Sequence, residues 1–198
     1  MTQIFVFSGL ILVSYALGCL STARFIAKNF KSLNIYKVGT GHPDTENIYS
    51  NIDKFLGVLA GITDFGKMYV YLFFMKIMLE YFYPCLSTQN HLLILGFLMV
   101  IGHCLPITNR FKGGRGIFTY IGFVTFFAPI PMIIVAVLAF ILITAFKQIR
   151  FAQYMVVLLP PFINFFFPGG KEFLGKMFIA ALLMAIINIF VSKRLGEI

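Results

Sequence analysis

The sequence predicts an all-α membrane protein, a bundle of seven transmembrane helices that forms a single domain over residues 1–198. Three observations support this fold class. The chain is 60% hydrophobic and only 12% charged, whereas a soluble domain carries about 25% charged residues. Its mean hydropathy is +0.91. Its apolar residues occur in long runs between short polar loops. So few polar residues cannot cover a water-facing surface.

The apolar runs give the predicted spans in order. They are residues 3–26, 55–80, 90–107, 116–128, 131–146, 151–168 and 172–191. A span needs about 20 apolar residues, and the fourth run is shorter than that. Pro129 and Pro131 separate it from the fifth run. We interpret the two prolines as a turn between two spans, because 116–146 is too long for one ordinary span; the alternative is a kink in one long helix.

The basic residues predict the orientation in the membrane. Those in the loops after the first, third and fifth spans and in the tail are Lys28, Lys31, Lys37, Lys54, Arg110, Lys112, Arg115, Lys147, Arg150, Lys193 and Arg194. The remaining loops contain one basic residue, Lys171. The positive-inside rule therefore predicts an external N-terminus and a cytoplasmic C-terminus. It also accounts for the net charge of +9 without a nucleic-acid partner.

Two glycine-containing loops on the predicted cytoplasmic side are candidates for anion binding. In the first, Gly39 and Gly41 flank Thr40, which lets backbone N–H groups approach an anion. The alternative is an ordinary turn. The second contains Lys112-Gly113-Gly114-Arg115-Gly116 and leads directly into a predicted helix. Its cations and the helix N-terminus favour a phosphate, and the alternative is a loop that contacts lipid headgroups.

Among the ionisable residues within or beside predicted spans, three are candidates for a functional role: Asp64, Lys67 and His103. Asp64 and Lys67 are one helical turn apart on one face, and such residues usually face the bundle interior or a watery cavity. They are either a catalytic pair or a mutually neutralised structural pair. His103 ends the third span, and the alternative to a functional role is a buried structural histidine. The spacing of the histidines and cysteines predicts neither a metal site nor a disulfide framework.

These motifs resemble those of the PlsY family of bacterial membrane acyltransferases, over nearly the whole chain. The matching segments are Gly18–Ala23, Gly39–Asn47, Asp64–Lys67, Gly102-His103 with Pro106, Phe111–Gly116 with Thr119, and Lys193–Glu197. The Lys-Gly-Gly block and its spacing from Gly-His are the most specific. The resemblance implies transfer of an acyl chain from acyl phosphate to glycerol 3-phosphate, giving lysophosphatidic acid for phospholipid synthesis.

The resemblance also implies the roles of the site residues. Thr40, His103 and Lys112 are the expected catalytic residues. The expected substrate- and phosphate-binding residues are Gly39, Gly41, Asn47, Asp64, Lys67, Gly113, Gly114, Arg115 and Gly116. The reaction needs no cofactor and no metal. We expect a monomer in contact with membrane lipids in the bacterial cell membrane, with its active site on the cytoplasmic side.

Five positions depart from the family pattern. Ser50 replaces an arginine of the first loop, and Asn188 and Val191 replace a late histidine and asparagine. Asp44 and Glu46 replace glycine and threonine, which puts two carboxylates where a phosphate would bind. They motivate an alternative: a catalytically degenerate paralogue that acts as a lipid-binding scaffold, or an acyltransferase with a different phosphorylated acceptor. A small transporter is disfavoured, because the sequence has no inverted repeat.

Overall fold

A computed structural model describes residues 2–195 of the chain, and within that range the protein is helical, with no β-strand. The α-helices are α1 (Thr2–Gly18), α2 (Thr22–Lys31), α3 (Thr45–Asn51), α4 (Lys54–Phe82), α5 (Gln89–Cys104), α6 (Ile117–Phe127), α7 (Pro129–Phe146), α8 (Ile149–Asn164) and α9 (Gly170–Leu195). Short 3₁₀ helices cover Ile35–Lys37, Pro84–Leu86 and Ile107–Asn109. The all-α prediction is confirmed. Gly196 and Glu197 of the terminal motif lie outside the described residues.

Five helical stretches among the described residues are long and apolar enough to cross a membrane. They are Gln3–Lys31, Lys54–Phe82, Gln89–Asn109, Pro129–Phe146 and Phe173–Lys193. Helices α6 and α8 also match predicted spans, but they have 11 and 16 residues. A helix rises about 1.5 Å per residue, so both are short for a hydrocarbon layer of about 30 Å. Five spans are supported, and the count of seven stays a prediction.

The first predicted span is broken where the sequence indicated one continuous run. Helix α1 ends at Gly18 and α2 begins at Thr22. The Ser21 hydroxyl caps α2 by accepting a hydrogen bond from the Arg24 amide at 3.3 Å. A side chain at Gly18 would collide with the backbone of Met99 on α5. The cap at Ser21 explains why a new helix begins at Thr22.

The region 116–146 forms two helices, as the proline pair predicted. Ala128 leaves the helical conformation, with φ −141° and ψ 69°, and α7 begins with Pro129 in its first turn. Proline is favoured at that position because its missing N–H has no intrahelical partner there. The turn is therefore set by the sequence itself.

The helices pack in pairs along the chain, with α1 on α5, α4 on α6, α7 on α8 and α8 on α9. Glycines permit the closest approach: a Cβ at Gly122 of α6 would lie 2.6 Å from the Phe65 carbonyl oxygen of α4. The buried core includes Met68, Leu95 and Met132. Many large apolar side chains instead point outward, which suits a protein whose outer surface faces lipid.

Candidate active site

The first glycine loop is organised around the side chain of Asn47, which is fully buried. Its Nδ2 donates hydrogen bonds of 2.9 Å to the carbonyl oxygens of Val38 and His42, and its Oδ1 accepts from the Thr40 amide at 3.1 Å. Gly39 has φ +55°, and a side chain there would collide with Asn47. Asn47 therefore shapes the loop, and the Thr40 side chain is left on its exposed surface.

Asp64, Lys67 and His103 form a second feature, which we call the buried triad. Lys67 Nζ lies 2.8 Å from Asp64 Oδ1 and 3.1 Å from His103 Nδ1. It also donates to the Leu20 carbonyl oxygen at 3.1 Å, in the break between α1 and α2. The predicted pairing of Asp64 with Lys67 is present, and the structure adds His103 to it. Because an ammonium only donates, Nδ1 is the acceptor and the ring proton lies on Nε2.

The second glycine loop packs directly against the buried triad and the first loop. A Cβ at Gly114 would lie 3.0 Å from His103 Nε2 and 2.8 Å from the Pro43 carbonyl oxygen. A side chain at Gly113 would collide with the backbone of His103 and Cys104. The two loops, far apart in sequence, therefore meet at Gly114, and glycine is needed there for close approach.

Arg115 lies at the centre of a further group, the arginine cluster, formed with Asp44, Glu46 and Gln153. Its Nη1 is 2.6 Å from Glu46 Oε2 and 3.7 Å from Asp44 Oδ2. Gln153 Nε2 of α8 donates to the same Glu46 oxygen at 2.6 Å. Arg115, expected to bind phosphate, thus has carboxylates as its partners in this structure. Both carboxylates, Asp44 and Glu46, belong to positions of the first loop that depart from the family pattern.

Asp44 has a structural role as well as an electrostatic one. Its Oδ1 accepts a hydrogen bond from the Asn47 amide at 3.0 Å and so caps α3. Burial raises the pKa of the Asp44 carboxyl above its ordinary value, although the nearby Arg115 guanidinium and the Asn47 amide lower it. This carboxylate is held in place by the helix that it caps.

Gln153 was not identified from the sequence. The signal for it was available, because a lone polar residue within a predicted span is costly in lipid and commonly faces the protein interior. Which partner it would face could not be read from the sequence, because Glu46 lies 107 positions away.

A cavity of about 450 Å³ lies between α3, α4, α6, α7 and α8. It extends from the arginine cluster along a wall of apolar side chains. Asp64, His103 and Gly116 also border it. The apolar lining comes from Val58, Ile62, Phe118, Ile121, Ala136, Ala139, Phe140, Ile143, Ala152 and Val156. The combination of a charged region and a long apolar wall suits an amphiphilic ligand with a charged head.

The remaining predicted site residues lie outside that lining. Lys112 is exposed, and its carbonyl oxygen accepts a hydrogen bond from the Tyr36 hydroxyl at 3.1 Å. Of the departures, Ser50 borders the cavity. Asn188 donates to the Met184 carbonyl oxygen of its own helix at 3.0 Å, and Val191 is buried.

This fold and this cavity are typical of a class, the multi-pass membrane proteins that handle a charged amphiphile. The family model described as glycerol-3-phosphate acyltransferase matches residues 8–195, and the chain belongs to that family.

Similar proteins include the glycerol-3-phosphate acyltransferases of Streptococcus pyogenes serotype M5 (strain Manfredo) and serotype M1. Each is 30% identical to this chain, with 95% of this chain and 87% of the relative covered. Crystal structures of PlsY (YgiH), an integral membrane glycerol 3-phosphate acyltransferase, share the fold at 21% identity. The TM-score is 0.76 for the glycerol 3-phosphate form and 0.69 for the lysophosphatidic acid form, with 96% of this chain and 89% of the other covered.

Proposed function

We propose that this chain transfers an acyl group from acyl phosphate to glycerol 3-phosphate and so makes lysophosphatidic acid for phospholipid synthesis. Membership of the glycerol-3-phosphate acyltransferase family supports the reaction. The observation that carries the proposal is the cavity, because Arg115, His103 and a wall of apolar side chains all line it. A fatty acyl chain with a phosphate at its end is a ligand that needs both the cation and the apolar wall.

The donor lies in the cavity, with its acyl chain along α6, α7 and α8 and its phosphate towards Arg115. Burial of the chain against apolar walls is favourable at about 25 cal/mol per Å². A guanidinium matches the geometry of a phosphate and binds it with two hydrogen bonds. Gly116, which precedes the first residue of α6, borders the cavity, and a helix N-terminus favours an anion.

The acceptor is water-soluble and enters from the exposed side of the two glycine loops. Thr40 and Lys112 are exposed there, and the Tyr36 hydroxyl joins the two loops by its bond to the Lys112 carbonyl oxygen. Thr40, with Gly39 and Gly41, and Lys112 bind the phosphate of glycerol 3-phosphate. Two phosphates are thereby held by different parts of one site, and positioning of the reactants supplies much of the rate.

The chemistry needs little from the protein beyond this positioning. The hydroxyl oxygen of glycerol 3-phosphate bonds to the acyl carbonyl carbon, the bond from that carbon to the phosphate oxygen breaks, and the hydroxyl proton leaves with the phosphate. His103, held by Lys67 and Asp64, presents Nε2–H to the negative charge that develops in the transition state. No covalent enzyme intermediate is required, because acyl phosphate is already an activated acyl group.

The protein acts as a monomer in the bacterial cell membrane, with seven crossings, an external N-terminus and a cytoplasmic active site. The distribution of basic residues supports this orientation. In a variant whose exposed native Cys85 is changed to Ser, cysteines introduced at Thr108 and Lys54 should be shielded from an impermeant thiol reagent in intact cells, whereas one at Asn90 should be labelled. Labelling at Thr108 from outside would overturn the orientation.

The reaction itself is tested with purified protein, palmitoyl phosphate and labelled glycerol 3-phosphate. Labelled lysophosphatidic acid and an equal amount of released phosphate are expected. Product from dihydroxyacetone phosphate but not from glycerol 3-phosphate would point to a different acceptor, and binding of palmitoyl phosphate without any product would favour the degenerate scaffold.

A further inference from the structure

The arginine cluster contains its own anion in the place where the proposed reaction requires a substrate phosphate. Arg115 is buried, and a buried guanidinium is costly without a counter-charge. Glu46 supplies that charge at 2.6 Å from Nη1. A phosphate that binds Arg115 through Nη1 must therefore replace a contact that already exists.

We infer that Glu46 is a resident competitor of the substrate phosphate for Arg115, and that this carboxylate sets how tightly the protein binds its acyl phosphate. The inference rests on the proposed function for the identity of the substrate. It concerns a residue of this chain that would move away from Arg115 when phosphate binds and return when the site empties.

The geometry singles out Glu46 rather than Asp44 as the movable carboxylate. Asp44 lies 3.7 Å from Arg115 Nη1 and is fixed by its cap on α3. The Glu46 side chain is 23% exposed, against 9% for the side chains of Asp44 and Arg115. Glu46 can turn towards solvent, and Asp44 then remains as a counter-charge for Arg115.

Gln153 stabilises the competing state. Its Nε2 donates to the Glu46 oxygen that Arg115 also contacts, so the carboxylate is held from α8 as well as from the start of α6. Phosphate affinity is then the difference between two charge-assisted contacts, the phosphate with Arg115 and Glu46 with Arg115. Repulsion between the phosphate and a nearby Glu46 lowers that affinity further.

The test is Glu46→Gln, which removes the charge and keeps the shape. The KM for palmitoyl phosphate should fall roughly five- to tenfold, as expected when one like charge near a partly exposed site is removed, with a much smaller change in kcat. The matched control is Glu80→Gln, because Glu80 is exposed and pairs with Lys76 on α4, away from the cavity. An unchanged or higher KM in the Glu46 variant, with the control unchanged, overturns the inference.

A binding measurement separates this inference from the proposed reaction. Inorganic phosphate is added to the detergent-solubilised protein, and the rise in melting temperature is measured, because a ligand that binds the folded state stabilises it. Glu46→Gln should show the rise at a roughly five- to tenfold lower phosphate concentration than the wild type. If that shift appears and neither protein makes lysophosphatidic acid, the inference stands and the proposed reaction fails. If the two proteins respond alike, or neither responds, the inference fails.

Gln153→Leu provides a second test should Glu46→Gln fold poorly. It leaves both carboxylates in place and removes only the second donor to Glu46. Phosphate affinity should rise, by less than in the Glu46 variant. A loss of affinity would mean that Gln153 itself binds the phosphate, and would contradict the inference.

Discussion

The buried triad and the arginine cluster each pair a cation with carboxylates, but the carboxylates come from different parts of the chain. In the triad, Lys67 is neutralised by Asp64 from its own helix, one turn away, and only His103 comes from elsewhere. In the arginine cluster, every partner of Arg115 that we describe comes from a different segment. The first pairing spans one helical turn, whereas the second depends on tertiary packing and includes a partly exposed carboxylate. On the proposed function, the locally paired charge organises the fold, and the charge that is paired from other segments binds a ligand.

Asp64→Ala should have the largest effect, because it leaves the Lys67 ammonium without its carboxylate. Removing one partner of a buried pair costs about 3–5 kcal/mol, so the melting temperature in detergent should fall sharply and activity should be lost. The double variant Asp64→Ala/Lys67→Met should recover part of that stability. A single variant as stable as the wild type would show that the triad is not the local structural pair described above.

Arg115→Ala and Lys112→Ala compare a buried and an exposed cation of the second glycine loop by their effects on activity and on melting temperature. Each should reduce kcat/KM roughly ten- to a hundredfold, as expected for a charge-assisted contact of about 1.5–3 kcal/mol. Only Arg115→Ala should also lower the melting temperature, because it leaves Glu46 and Asp44 without their cation, whereas Lys112 is exposed. Full activity in both variants would show that the second glycine loop only contacts lipid headgroups.

Ser50→Arg should have a smaller and opposite effect. Ser50 borders the cavity beside Glu46, and a new cation there adds about 1 kcal/mol of attraction for a phosphate. The KM for a phosphorylated substrate should fall roughly fivefold. Ser50→Gln is the matched control without charge. An equal gain in both variants would assign the effect to size instead of charge.

The smallest effects should come from two helix caps with opposite pH dependence. Hydrogen bonds from the Leu56 amide and Lys31 lower the pKa of the half-buried Asp53, so Asp53 stabilises the fold above its unfolded pKa and this contribution is lost as the pH falls. Burial raises the pKa of Asp44, so its contribution is greatest in acid and is lost as the pH rises through the folded pKa. Relative to the wild type, Asp53→Asn should be less stable at neutral pH and Asp44→Asn more stable, with both differences shrinking in acid. Melting curves between about pH 3 and pH 7 check both signs and cover the range below the ordinary aspartate pKa of 3.8 in which the Asp53 difference shrinks. Differences of the same sign at neutral pH would contradict the assignment.

The local half of this comparison could be predicted from the sequence, and the tertiary half could not. The positions of the apolar runs, the turn at Pro129 and the pairing of Asp64 with Lys67 depend on spacings within a few residues. Glu46 was recognised as an unfavourable neighbour for a phosphate, but its bond to Arg115 depends on how α3 packs beside the start of α6. No local pattern encodes that distance.

The break after Gly18 is a second feature that the apolar pattern of the sequence did not predict. Hydropathy indicated one run through residue 26, because it measures the transfer of each side chain to lipid and not the contact between helices. The chain leaves the helix after Gly18, where α1 packs closely against α5. In the break, the carbonyl oxygen of Leu20 accepts a hydrogen bond from Lys67, whereas in an unbroken helix it would be bonded within the helix.

The shortness of α6 has a consequence for how two substrates of opposite solubility can meet. A helix of 11 residues rises about 16 Å, roughly half the thickness of the hydrocarbon layer. If α6 is one of the seven spans that the sequence predicts, the rest of that depth falls to the glycine loop and the cavity at its start. On the proposed topology, water would reach into the bilayer at this loop. A fatty donor would not have to leave the lipid and a charged acceptor would not have to enter it, because water and lipid would meet at the reacting carbon.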